Sequence, residues 1–114
     1  AQTRVSPDSR EPRTAVGVDA TGRWLYLVVI DGRQPGWSGG MTLPQLADYM
    51  IALGCSDAVN LDGGGSSSFH AQSSDGEIFR NRPSDGVARP VFNHLAVFVK
   101  SAVQEAPRKG GDVE

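Results

Sequence analysis

The chain has 114 residues, 39% hydrophobic and 21% charged, with 14 Gly and 7 Pro, which is the make-up of one turn-rich globular domain with a modest core. A net charge of −2 without any Lys/Arg-rich run counts against nucleic acid or an anionic membrane surface as a partner. A single cysteine, Cys55, excludes an internal disulfide or a cysteine-based metal cluster, and no run of ~18 apolar residues offers a membrane helix.

The opening AQTRVSPDSREPR has Val5 as its only large apolar residue and prolines at 7 and 12. Residues 1–11 therefore read as an extended lead-in to a domain over residues 12–100. Thr14, Val16 and Val18 alternate with Ala15, Gly17 and Asp19, the period of a strand, and Ala20-Thr21-Gly22-Arg23 supplies a turn. Trp24 to Ile30 is apolar at nearly every position, which predicts a strand covered on both faces and a hairpin with the first. Asp31 to Gly40 is a loop in which Gly, Pro, charge and Trp37 are interleaved.

Thr42-Leu43-Pro44-Gln45 has the form of a capping box, with Met41 and Leu46 placed as a hydrophobic staple. The helix it starts carries Leu43, Leu46, Ala47, Met50 and Ile51 on one face, predicted as core, and Gly54 sits where a left-handed cap belongs. Cys55 reads as a small buried hydrophobe.

A strand over residues 58–62 would place Val59 and Leu61 on a packing face and Asn60 and Asp62 on a working face. It runs into Gly63-Gly64-Gly65-Ser66-Ser67-Ser68. Three successive glycines suit a turn with positive φ or the close approach of a ligand, and their N–H groups can line a small anion-binding concavity. The same letters also spell a flexible linker, but a linker does not usually follow an apolar strand ending in Asn-x-Asp. Position 68 is Ser where a dinucleotide fingerprint wants Gly, and no Walker A lysine follows. A Gly-x-Ser-x-Gly elbow is absent too, which weakens an esterase reading of Ser66 or Ser67.

Ser67 to Ala71 and Glu77 to Arg80, joined by Ser73-Ser74-Asp75-Gly76, predict a second hairpin. Asn81 to Gly86 and Arg89-Pro90 break the pattern, Leu95 to Val99 predicts a last strand, and residues 101–114 read as a flexible tail. The expected fold is α+β, a mixed sheet of about five or six strands with one amphipathic helix packed on it.

Four stretches in this order carry a family resemblance: Pro12 to Asp19, Val29 to Thr42, Asn60 to Ser67 and Asn81 to Gly86. Together they resemble the phosphodiester glycosidase family, which includes an enzyme that removes N-acetylglucosamine from a phosphodiester. The resemblance spans residues 12–100 and implies the C-terminal half of that domain, because nothing in residues 1–11 matches an Asn-Gly-Gly-Phe-type motif of the N-terminal half. It implies a secreted or cell-envelope setting and a glycosyl phosphodiester substrate, hydrolysed to sugar and phosphomonoester.

The chemistry of such a substrate sets what the residues must do. Its leaving group is already a phosphate, so an enzyme must hold that charge and meet an oxocarbenium-like carbon with a carboxylate or an activated water. Asp62 is the candidate nucleophile or general base, with Asn60 as its orienting partner. Arg13, Arg33 and Arg82 are candidate phosphate ligands, since a guanidinium pairs bidentately with phosphate oxygens. Asp31, Gly63, Gly64, Gly65, Ser66 and Ser67 complete the expected binding set.

A second carboxylate is sought among Asp19, Asp31 and Asp85 or in the missing half. Each of these residues also has a plain structural reading, as turn cap, surface ion pair or loop anchor. Trp37 either stacks on a sugar or anchors its loop. His70 and His94 lack metal-site spacing and read as structural, so no metal or cofactor is expected. The rival function is a carbohydrate- or phosphate-binding module, or an inactive half-domain that works with a complementary chain. Self-association, or union with a chain carrying the N-terminal half, follows from that rival.

Overall fold

The computed structural model describes residues 6–91 and 94–99. Among them the order is β1 (Arg13–Val18), β2 (Leu25–Ile30), α1 (Leu43–Leu53), β3 (Asp57–Asn60), a short 3-10 turn (Gly64–Ser66), β4 (His70–Gln72) and β5 (Ile78–Arg80). β2, β1 and β3 form an antiparallel sheet in that order, and β4 pairs with β5 in a separate hairpin. This is the α+β class expected, with five strands divided between two sheets.

The β1–β2 hairpin closes on Asp19, whose carboxylate accepts from the Thr21 hydroxyl and from the N–H groups of Arg23 and Trp24. Those bonds hold the Asp19 carboxyl below the ordinary aspartate range, the Thr21 hydroxyl contributing most. Asp19 is thus a turn residue rather than a second catalytic carboxylate.

Register decides which residues face the helix. Ala15 lies opposite both Val28 and Asn60, and Gly17 opposite both Tyr26 and Ala58, so these positions share one face of the sheet. Ala15, Leu46, Met50 and Cys55 form the buried core, with Tyr26, Val28, Ile30, Met41 and Leu43 packed against it. Gly17 makes room for this packing, since a Cβ there would stand 2.5 Å from Cys55 Sγ.

The helix starts as its sequence dictates. Thr42 accepts from the Gln45 N–H while the Gln45 side chain accepts from the Thr42 N–H, and Gly54 caps the other end at φ 115°. Ile51, expected in the core, is 67% exposed.

The opposite sheet face carries Val16, Val18, Leu25, Leu27, Val29 and Val59, of which Leu25 and Leu27 are also exposed. Val59 is 62% exposed. The expectation for β3 is therefore inverted: Ala58 and Asn60 turn toward the helix, with Asn60 half-buried, and the Val59 face is open. β2, expected to be covered on both sides, is an edge strand with the helix on one side only.

Residues 6–11 of the expected lead-in are tied down, Pro7 accepting from the Leu43 N–H and Glu11 bridging Met41 in both directions. Leu95 to Val99 is not a strand; it runs exposed, with Phe98 at 91%. The tail expected over residues 101–114 lies outside the described residues.

Candidate active site

The glycine turn is built by its contacts with β1. The Thr14 carbonyl accepts from the Leu61 N–H and the Pro12 carbonyl from the Gly64 N–H, so the chain leaving β3 stays against the start of β1. Each glycine then admits a close neighbour, at Gly63 and Gly65 nearer than a Cβ would allow. A Cβ on Gly63 would stand 2.8 Å from the Pro12 carbonyl oxygen, one on Gly64 3.3 Å from Arg33 Nη2, and one on Gly65 2.5 Å from Asp85 Oδ2. Gly64 also needs its φ of +60°, a left-handed value that glycine adopts at little cost.

Of the three glycine N–H groups expected to line an anion-binding concavity, only that of Gly64 has a described acceptor. The N–H of Gly64 goes to Pro12, that of Ser66 to Gly63 and that of Ser67 to Gly64. The turn also carries a pair of guanidiniums. Arg33 lies over Gly64 with its Nε on Glu11 Oε1 at 2.7 Å. Arg89 lies against Gly65 and donates from Nε and Nη2 to the Ser66 hydroxyl at 3.3 and 3.1 Å, with Nη1 3.6 Å from Asp85.

Arg89 was not anticipated. Its signal was the spacing Asp85-x-x-x-Arg89 immediately after the Asn81 motif, which places a carboxylate where it can steer the guanidinium.

A second cluster ties the other two motifs to this turn. The Asp31 carboxylate accepts from the Trp37 indole N–H at 2.8 Å, from the Arg82 backbone N–H at 3.1 Å and from Asn81 Nδ2 at 3.1 Å. Asn81 Nδ2 also donates to the Ser67 carbonyl, and Asn81 Oδ1 accepts from the Phe69 N–H. The Arg82 guanidinium sits 4.8 Å from the centre of the Trp37 ring, a cation–π contact. All four motifs thus meet, and Asp31 and Asn81 are the knot.

Several expected ligands are placed elsewhere. Arg13 is 4% exposed. Its Nε donates to the Met41 carbonyl and its Nη2 to the carbonyls of Ser6 and Ser9. That commits it to holding the N-terminal segment and not to a phosphate. Ser67 is 2% exposed and its hydroxyl is buried without a partner, so it faces the interior rather than a substrate.

Asn60 Oδ1 is likewise buried without a partner. Asn60 lines a cavity of about 220 Å³ under the helix with Ala15, Leu46, Met50 and Ala58. Because β3 ends at Asn60, strand alternation does not carry Asn60 and Asp62 onto a common face, and no described hydrogen bond joins them. Asp62 itself is exposed. Among the described residues its carboxylate enters no hydrogen bond or ion pair, which leaves it open to a reacting group. An open cleft of about 410 Å³ lies along β2 and reaches the Asp31 cluster, lined by Asp31 and Asn81 together with Leu27, Val29, Phe69 and Phe79.

Asp62, exposed and unengaged, thus stands at the entry to a glycine turn against which two arginines lie. The model of the phosphodiester glycosidase family matches residues 1–98. The chain belongs to the phosphodiester glycosidase family, whose name denotes a glycosidase-type hydrolase. It is also 33% identical over 88 residues to the SPbeta prophage-derived uncharacterized protein YomE of Bacillus subtilis (strain 168), a match covering 77% of this chain and 13% of that protein.

Proposed function

We propose that this chain supplies the phosphate-holding and carboxylate part of an enzyme that hydrolyses a sugar-1-phosphodiester, releasing the sugar and a phosphomonoester. One observation carries the reading: Asp62, with its carboxylate unengaged, directly precedes the turn that seats Arg33 at Gly64 and Arg89 at Ser66. In the reaction the bond between the anomeric carbon and the phosphate oxygen breaks, and the electron pair leaves on the phosphate. Arg33 and Arg89 hold the charge that develops there, and the Asp62 carboxylate either deprotonates a water that attacks the anomeric carbon or attacks it directly, forming a glycosyl ester that water then hydrolyses to free the sugar. The phosphate is a good leaving group, so a strong general acid is not required.

Arg82 holds the Trp37 ring by its cation–π contact, and Trp37, at 55% exposure, offers a sugar a ring to rest on. N-acetylglucosamine as the sugar and a secreted or envelope setting belong to this proposal as the family's example suggests them.

The test is Asp62→Asn in a preparation that hydrolyses N-acetylglucosamine-1-phosphodiester. The amide is nearly isosteric and the site exposed, so folding should be unchanged while turnover falls by about 10²–10⁴, the range for losing a catalytic base. Activity within a few-fold of wild type at an unchanged melting temperature would remove Asp62 from the reaction.

A further inference from the structure

Glu11 stands outside every motif that carries the family resemblance, yet it makes the shortest ionic contact described, 2.7 Å from its Oε1 to Arg33 Nε. It is itself held from three sides. Its Oε2 accepts from the Ser9 hydroxyl at 2.9 Å, its backbone N–H donates to the Met41 carbonyl, and its carbonyl accepts from the Met41 N–H. The strand-like run that contains it is brought beside Arg33 by Gly32, where a Cβ would stand 2.6 Å from the Pro12 nitrogen. Arg33 follows with φ 56°, the one left-handed residue besides glycines among those described, and such a backbone persists only where its surroundings over-determine it.

These contacts take the Nε of Arg33 and leave its two terminal nitrogens over Gly64, the side from which the phosphate ligand of the proposed function would be approached. We infer that Glu11 is a positioning residue: it fixes the Arg33 guanidinium so that Nη1 and Nη2 face the glycine turn. The inference rests on the proposed phosphate role of Arg33 and adds to it the residue that sets that arginine's orientation.

Two opposing effects make the inference testable. The Glu11 charge lies near the anion and repels it, while its oxygen removes the rotamer freedom that Arg33 would otherwise lose on binding. Repulsion at an exposed site is weakened by water and salt, so orientation is the larger effect. Glu11→Gln keeps the acceptor and removes the repulsion, whereas Glu11→Ala removes both.

The experiment is a titration of the 114-residue chain with inorganic phosphate, followed by nitrogen–proton spectra that include the Arg33 Nε–H signal. Glu11→Gln should bind phosphate as well as wild type or up to about three-fold tighter. Glu11→Ala should bind about ten-fold more weakly and lose the slowly exchanging Nε–H signal. The double variant Glu11→Ala, Arg33→Lys should bind no more weakly than Arg33→Lys alone, because Glu11 acts only through Arg33.

If Arg33→Lys weakens binding but Glu11→Ala leaves it unchanged or tightens it, the positioning role is overturned and the phosphate role of Arg33 stands. If Arg33→Lys has no effect, both are overturned. An Arg33 Nε–H in wild type that exchanges as fast as a free arginine's overturns the positioning role by itself.

Discussion

The Arg33 guanidinium lies against the place that a side chain at position 64 would take: a Cβ on Gly64 would stand a tight 3.3 Å from Nη2 and 3.5 Å from Nη1. With its φ of +60°, Gly64 is constrained twice, by its own backbone and by the arginine above it. Gly64→Ala should therefore destabilise the fold by about 1–2 kcal/mol through the left-handed backbone alone, and should also push Arg33 away from the turn. Chemical denaturation and a phosphate titration on one sample separate the two effects. A loss of stability with undiminished phosphate affinity would show that Arg33 does not need its present seat.

Arg13 yields a different prediction although it lies in an equally suggestive motif. Buried at 4% exposure, it holds three backbone carbonyls. A lysine keeps the charge but cannot span them with a planar fork. Bonds from a charged donor are worth about 1.5–3 kcal/mol each, so Arg13→Lys should cost about 2–4 kcal/mol in folding stability, read from urea denaturation. A stable Arg13→Lys protein with impaired phosphate binding would return Arg13 to the site.

The contrast between these two arginines marks how far the sequence could be read. Local signals were decisive where chemistry is local: Thr42, Gln45 and Gly54 set both ends of the helix, and the β1 alternation with its turn gave the first hairpin. The α+β class followed from the order of those elements. What sequence could not supply was which partner each charge would find. Arg13 and Arg33 look alike in their motifs, and only the register of β1 and the bend at Gly32 turn one inward and leave the other at the surface.

The face of β3 was misjudged for a related reason. Alternation says that Val59 and Asn60 point to opposite sides but not which side the helix will take, and pairing of Asn60 with Ala15 decided that. Glu11 has no local signal because its partner Arg33 lies 22 residues away, whereas Arg89 had one in Asp85 but its contact with Ser66 is long-range.

Glu11 also gives the pH dependence a direction. Its carboxyl is held below the ordinary glutamate value of 4.5, first by the hydrogen bond from Arg33 and then by that from Ser9. A depressed carboxylate contributes stability that is fully present above 4.5 and is lost as pH falls through the lower folded value. Denaturant midpoints measured from pH 6 down to pH 3 should fall for the wild type, and less steeply for Glu11→Gln, which has no proton to gain. Parallel curves for the two proteins would mean that the Glu11–Arg33 pair contributes nothing to folding.

The sheet face opposite the helix is apolar. Leu25 at 54%, Leu27 at 36% and Val59 at 62% exposure lie on that face, beside Val16, Val18 and Val29, and β2 and β3 each have an edge with no described partner. Apolar surface of this kind, bordered by unpaired strand edges, favours pairing with another chain. We propose that the chain self-associates through this face, with a second copy as the occupant. Sedimentation over a hundred-fold range of concentration should show a mass that rises with concentration for the wild type. Leu25→Lys with Val59→Lys should move it toward the monomer without lowering the melting temperature, because neither side chain is in the core that packs on the helix. A wild-type chain that stays monomeric throughout that range would exclude a second copy as the cover of this face.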